Sequence, residues 1–193
     1  MGSITRTLAN NITTGGVILP SGINNTSISN VTALPAAIST GKVLQVVHSE
    51  NNYQESSASG SPQDIKSASS TVWETSITPS STSSKIFAHA NIAWYAEMSG
   101  TASDVRAYIR MSKKIGSGSY SAVMNTPYTG MYFYSAQRFD LSNWQQIFTN
   151  LSSPNTTDAV TFKFDRYSLS TSGWDLVINY ASKSTLTLME VEG

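Results

Sequence analysis

The sequence predicts an all-β protein, an antiparallel two-sheet jelly roll or β-sandwich preceded by an extended N-terminal arm. About nine short apolar runs follow one another in the last three quarters of the chain. Clusters of Gly, Ser, Asn and Pro separate them, and no segment carries a helical stripe of useful length. We therefore divide the chain into an anchoring arm, residues 1–41, and a β-sandwich domain, residues 42–193.

The arm is polar and frequently interrupted by residues that break regular structure, such as Gly15-Gly16 and Pro20. Alone, it cannot bury enough apolar surface to offset the entropy lost on ordering. We therefore expect the rest of the chain or a partner to hold it in place. The candidate anchoring residues in the arm are its isolated apolar side chains: Val17, Ile18, Leu19, Ile23, Ile28 and Leu34.

The clearest strand signal is strict alternation after Lys85, where Ile86 and Ala88 begin one apolar face and His89 lies on the other. Residues 105–111 alternate in the same way. The remaining strands are expected at 42–48, 71–78, 131–139, 144–151, 159–167, 174–180 and 185–191, with a long Ser-rich loop over 50–70.

The last predicted strand is apolar on both faces. Leu188 lies on one face of the strand, and Met189 and Val191 lie on the opposite face. A terminal strand of this kind is typical of burial between sheets or at a subunit axis. We therefore treat Leu188, Met189 and Val191 as candidate interface residues.

Composition narrows the possible functions. Charged residues make up 12% of the chain, the formal net charge is +0, and there is no Cys. The absence of Cys excludes disulfides and thiolate metal sites. The balanced charge argues against a nucleic-acid partner and against polybasic membrane binding. No apolar run reaches the length of about 20 residues that membrane insertion requires.

The sequence contains no recognisable catalytic or metal-binding motif. It has two histidines, His48 and His89, which we expect on the surface, and it has no Gly-x-Ser-x-Gly elbow. The acidic residues are scattered, and Gly116-Ser117-Gly118 is interpreted as a hairpin turn. We therefore predict no enzymatic activity, no cofactor and no metal. An enzymatic function, as a depolymerase or esterase, is the weakest of the hypotheses considered, because no residue pattern supports it.

Two sets of side chains are candidate surface contacts. A local basic cluster, which fits a solvated strand face or a subunit interface better than an anion or glycan site, consists of Arg106, Arg110, Lys113 and Lys114, interleaved with Tyr108. Aromatic residues lie on both faces of several strands, and oligomerisation would cover those that point away from the core. The aromatic residues expected in loops, and suited to stacking on sugars, are Tyr53, Tyr120, Tyr128 and Trp174.

Three stretches carry a family resemblance, namely residues 41–47, 76–86 and 185–191. The order and the sequences of these stretches resemble those of small virion structural proteins of tailed bacteriophages, especially marine and cyanobacterial ones. Residues 8–14 and 31–35 of the arm are similar too. The resemblance implies a jelly-roll head of the complement and tumour-necrosis-factor type, commonly trimeric. It implies no catalytic residue.

We favour a homotrimeric capsid decoration, cement or short head-fibre protein on the virion surface. Its arm would bind the major capsid protein, because no rod-forming segment separates arm from head. The alternative is a tail-fibre or tail-tip protein, attached to a tail protein, that recognises a host surface glycan.

Overall fold

The fold was determined from a computed structural model of the chain. The structure describes residues 42–57, 59–68, 70–98, 105–123, 129–133, 144–168 and 174–193. Within these ranges the chain forms strands and turns, and no helix occurs. The chain divides into two units, residues 1–40 and 41–193, and every described strand belongs to the second. The predicted arm lies outside the described residues, so its role stays a prediction.

Twelve strands are described, and nine of them match the predicted runs. They are β1 (Val43–Asn51), β2 (Glu55–Ser57), β3 (Gln63–Asp64), β4 (Glu74–Ile77), β5 (Lys85–Met98), β6 (Val105–Ile115), β7 (Ser121–Ala122), β8 (Thr129–Phe133), β9 (Trp144–Ser152), β10 (Val160–Ser168), β11 (Trp174–Ile178) and β12 (Ser184–Val191). The three strands that were not predicted, β2, β3 and β7, have two or three residues each and no apolar alternation.

The strands form two antiparallel sheets. In the first, the order is β1-β12-β5, with β9 on the opposite edge of β5, β11 further along β5, and β2 on β11. In the second, β10 lies between β6 and the pair β3 and β4, and β7 and β8 line the far edge of β6. The chain crosses repeatedly between the sheets, as it does in β-sandwiches and jelly rolls. The predicted all-β, two-sheet architecture is confirmed.

The core lies between the two sheets and comes from the alternation seen in the sequence. Phe148 of β9 packs against Phe164 of β10 with ring centroids 5.4 Å apart, and Trp73 stacks on Phe164 at 5.6 Å. Burying an aromatic or branched side chain contributes about 1.5–3 kcal/mol. Ile86, Ala88, Ala90 and Ile92 of β5 are all fully buried, so this face predicted from the sequence is confirmed.

The glycine pair forms a tight turn, as predicted. Gly116 has a φ of +53°, in the left-handed region that glycine adopts without strain. Its N–H donates to the carbonyl of Ala159 at 2.8 Å, and the N–H of Gly118 donates to the carbonyl of Ile115 at 2.9 Å. The turn therefore leads from β6 into β7 at one end of the second sheet.

Candidate assembly surface and polar cleft

Four apolar side chains form a continuous row across the outer face of the first sheet. Val46 of β1 pairs with Met189 of β12, Met189 pairs with Phe87 of β5, and Phe87 pairs with Leu151 of β9. Side chains of directly paired residues lie on the same face of a sheet. Val46 is 55% exposed and Leu151 is 60% exposed. The row therefore presents uncharged apolar surface across four of the six strands of the sheet.

Two further apolar residues extend this row on one side, where Val43 pairs with Val191. The six residues that we call the apolar face are Val43, Val46, Phe87, Leu151, Met189 and Val191. Ile147, which is 59% exposed, pairs with Asn91 and lies apart from this face, two outward-facing register positions beyond Phe87 and Leu151. Contiguous exposed apolar surface is a common feature of interaction sites.

A second row, beside the apolar one, holds both histidines of the chain. His48 pairs with Thr187, Thr187 with His89, and His89 with Thr149. His48 Nδ1 lies 2.9 Å from Thr187 Oγ1, and the His89 ring stacks on Phe87 with centroids 6.4 Å apart. Both histidines are exposed, which confirms their predicted surface positions. This polar row borders the apolar face.

Ion pairs lie beyond the histidine row. Glu50 accepts hydrogen bonds from Lys183 Nζ at 2.7 and 2.8 Å. The hydrogen bond from Lys183 lowers the pKa of the Glu50 carboxyl, and His48 contributes in the same direction. The charged groups of this region therefore lie at the margin of the apolar face and not within it.

The structure separates the three interface residues predicted on the last strand. Leu188 is fully buried in the core, whereas Met189 and Val191 are partly exposed on the apolar face. Both faces of β12 are apolar because one packs between the sheets and the other faces outward. The six candidate anchoring residues of the arm lie outside the described residues.

The outer face of the second sheet carries a cluster of charged and aromatic side chains around Tyr120. The Tyr120 hydroxyl donates to a carboxylate oxygen of Glu74. The Nζ atoms of Lys163 and Lys114 lie 4.4 and 4.7 Å from the Tyr120 ring centroid, within the range of cation–π attraction. Burial and the Glu74 carboxylate raise the pKa of Tyr120. Tyr120, a predicted surface contact, is thus held within a network.

The predicted basic cluster contributes a partly buried ion pair to the same face. Arg110 Nε lies 3.0 Å from Asp165 Oδ2, and the Asp165 side chain is 4% exposed. Burial raises the pKa of Asp165, although Arg110 opposes this effect. The Tyr108 ring packs against Tyr167 with centroids 5.9 Å apart. Arg110 therefore has a structural partner; the side chain of Arg106 lies outside the described part.

A polar cleft of about 440 Å³ opens where β2, β3 and β10 meet. Arg166 is buried at its base, where Nη2 lies 3.2 Å from Glu55 Oε2 and Nη1 donates to the carbonyl of Leu176 at 2.9 Å. Asp64, at another wall, is paired with Lys163. The cleft is lined by Tyr53, Gln54, Glu55, Ser56, Gln63, Asp64, Lys66, Ser70 and Arg166.

Of the four aromatic residues predicted to contact sugars, Tyr53 lines this cleft. Tyr120 does not line it, but its neighbour Lys163 pairs with the cleft residue Asp64. Tyr128 and the side chain of Trp174 lie outside the described residues. Sequence reasoning missed Arg166, since an arginine on a predicted strand gives no sign that it is buried against a distant glutamate.

The described residues were also searched for metal sites and membrane spans. Among them, no group of three or more His, Asp or Glu side chains is placed to hold a metal ion. In the same residues, no helix is long and apolar enough to cross a bilayer.

Comparison with known proteins gives structural similarities only. No protein-family model matches the sequence, and no curated protein is similar to it. A chain of the icosahedral particle of infectious bursal disease virus is 13% identical with a TM-score of 0.43, and the match covers 78% of this chain and 38% of that one. A mutant VP2 protein of the same virus is 11% identical with a TM-score of 0.38, covering 77% and 36%.

The Gt strain of that virus gives a similar match, at 12% identity and a TM-score of 0.39, covering 77% of this chain and 40% of the other. This chain thus spans well under half the length of each of these proteins. At TM-scores below 0.5, the similarities identify neither a family nor a function.

Proposed function

We propose that this chain is a non-enzymatic structural protein of a virus particle and that it assembles with copies of itself through the apolar face. The observation that carries the proposal is the exposed row formed by Val46, Met189, Phe87 and Leu151 across four strands. Fully burying a side chain such as Leu or Phe contributes about 1.5–3 kcal/mol. Several such side chains together can offset part of the entropic cost of association.

A second copy of the chain is the occupant that best fits this face. The row itself contains no charged group, and the exposed Lys85 lies at the edge of the face, where it pairs with Val191. The centres of two such faces can therefore meet without desolvating a charge, while Lys85 stays at the rim. The bordering histidines and threonines supply hydrogen-bonding groups for a polar rim. The proposed number of copies, three, is supported by the resemblance to trimeric phage proteins.

The resemblance also supports a bacteriophage source and a position on the virion surface. We favour a capsid decoration, cement or short head-fibre protein, with residues 1–41 bound to the major capsid protein. The alternative location is the tail, as a fibre or tip protein. Immunogold labelling of intact virions with antibody against the sandwich distinguishes the two: label over the head supports the favoured location, and label restricted to the tail contradicts it.

Assembly is tested by analytical ultracentrifugation of the wild-type chain and of the double variant Val46→Lys, Leu151→Lys. Both positions are more than half exposed, so the fold should tolerate the lysines. We expect a trimeric wild type and a monomeric variant at micromolar concentration. The matched control is Ile115→Lys, at a position 37% exposed on a strand of the second sheet, which should remain trimeric. A monomeric wild type, or a double variant that stays trimeric, would contradict the proposal.

A further inference from the structure

We infer that the polar cleft beside Tyr53 is a binding site for a neutral saccharide. This inference goes beyond assembly, since the cleft and the apolar face lie on different sets of strands. The cleft volume of about 440 Å³ falls in the range of roughly 300–1,000 Å³ that small-ligand sites occupy. Its lining consists mainly of hydroxyl, amide, carboxylate and cationic groups, which match a ligand rich in hydroxyls.

The charges of the lining favour a neutral ligand. Glu55 and Asp64 supply two carboxylates, and Lys66 and Arg166 supply two cations. Glu55 is already paired with Arg166, and Asp64 is paired with Lys163 from outside the cleft. A cationic ligand would have to displace Arg166 from Glu55 or Lys163 from Asp64. An anionic ligand could pair with the exposed Lys66 alone before it competed with Glu55 for Arg166. Hydroxyl groups need no such exchange, because they can donate to a carboxylate and accept from an amide at the same time.

Tyr53 supplies the apolar component that such a ligand needs. Tyr53 lines the cleft and is partly exposed. An aromatic ring with a polar end offers a flat surface to the C–H face of a sugar ring and a hydroxyl to its edge. The amides of Gln54 and Gln63 lie in the same lining, within one small cavity. The cleft thus combines one stacking surface with several hydrogen-bonding groups.

The backbone around Tyr53 is fixed by hydrogen bonds from both sides. Its N–H donates to Asn51 Oδ1 at 3.0 Å, and its carbonyl accepts from Asn179 Nδ2 at 3.0 Å. Asn51 Nδ2 also donates to the carbonyl of Lys66 at 2.8 Å, and the Lys66 N–H donates to Glu55 Oε1 at 2.9 Å. Both asparagines are buried. A site held in this way loses little conformational entropy when a ligand binds.

The test uses the full chain on an array of neutral oligosaccharides of hexoses and N-acetylhexosamines, with sialylated and sulfated glycans for comparison. Neutral glycans that bind are then titrated against Tyr53→Ala and Gln63→Ala. We expect each variant to weaken binding about tenfold or more. Tyr180→Ala is the control, since Tyr180 is an exposed tyrosine outside the cleft, and it should bind as the wild type does.

Thermal unfolding of each variant shows whether its fold is retained. Gln63 is exposed, so Gln63→Ala should not disturb the fold. It therefore tests the cleft at a second position, outside the loop that carries Tyr53. Absence of binding to any neutral glycan, a preference for charged glycans, or equal binding by Gln63→Ala and the wild type would overturn the inference. None of these results bears on assembly, which the ultracentrifugation experiment measures separately.

Discussion

Glu190 and Ser80 are joined by two hydrogen bonds to a single carboxylate oxygen. The backbone N–H and the hydroxyl of Ser80 each donate to Glu190 Oε1 at 2.6 Å. Gln45 Nε2 donates to the other oxygen at 2.7 Å. Burial disfavours the charged carboxylate, but the hydrogen bonds from Ser80 and Gln45 outweigh it and lower the pKa of Glu190 to about 2. The carboxylate therefore fastens the β4–β5 loop to β12 and β1.

Replacing this carboxylate should destabilise the chain in a pH-dependent way. The pKa of Glu190 is lower in the folded state than its ordinary value of 4.5. Its contribution is therefore present above about pH 5 and is lost as the pH falls toward 2. We expect Glu190→Gln to lower the free energy of unfolding by about 2–3 kcal/mol at pH 7, and by about 1 kcal/mol at pH 3.

Urea unfolding at pH 7, 5 and 3 measures this difference. Glu192→Gln is the matched control, because Glu192 lies two residues further on and is exposed. Its stability should follow that of the wild type at each pH. An equal loss in the two variants, or a loss in Glu190→Gln that does not change with pH, would contradict the assigned role.

Neighbouring residues on β12 should separate folding from assembly. Leu188 is fully buried, so Leu188→Ala should lower the free energy of unfolding by about 2–5 kcal/mol through the cavity it leaves. Met189 is partly exposed on the apolar face, so Met189→Ala should weaken self-association and barely affect the fold. Both are measured by urea unfolding in the monomeric Val46→Lys, Leu151→Lys background, and self-association is measured by ultracentrifugation in the wild-type background.

The free energy of unfolding of the monomeric variants shows whether Leu188 and Met189 have different roles. Two variants that destabilise the monomer equally would place Met189 in the core, against the alternating burial of β12. A Met189→Ala variant that assembles like the wild type would remove Met189 from the interface.

The sequence predicts those strands in which apolar and polar side chains alternate. Phe162 and Phe164, for example, alternate with polar residues on β10, and this local pattern places them in the core. The short strands β2 and β3 could not be predicted, because they consist of polar residues. Their positions are set by pairing with β11 and β10, far away in the chain.

The apolar face could be predicted only in fragments. The sequence marks Met189 and Val191, because their strand is apolar on both faces. Phe87 shares its strand face with the polar residues Lys85 and His89, and Leu151 lies between Asn150 and Ser152, so the sequence marks neither as an interface residue. They join Met189 in one row only through the register of β5 with β12 and β9. Register between distant strands depends on long-range packing, which a single sequence does not display.

The ion pair between Arg110 and Asp165 provides the last prediction. Asp165 is almost completely buried, and its pKa is raised by burial and held down by Arg110. Arg110→Met removes the compensating cation, so the charged Asp165 becomes more costly to bury. Because the Arg110 side chain is 27% exposed, we expect a loss of about 2–4 kcal/mol at pH 7, near the lower end of the range for buried pairs.

Asp165 affects the stability of the wild-type chain with the opposite pH dependence to Glu190, although the loss in both variants is larger at pH 7 than in acid. A folded-state pKa above the ordinary 3.8 of Asp165 means that the folded chain binds the proton more tightly than the unfolded chain. Stability therefore falls as the pH rises through the raised pKa, and the penalty in Arg110→Met should disappear on acidification. The double variant Arg110→Met, Asp165→Asn should recover much of the stability at pH 7, measured by urea unfolding. Equal destabilisation of the single and double variants would show that Arg110 acts through its packing and not through its charge.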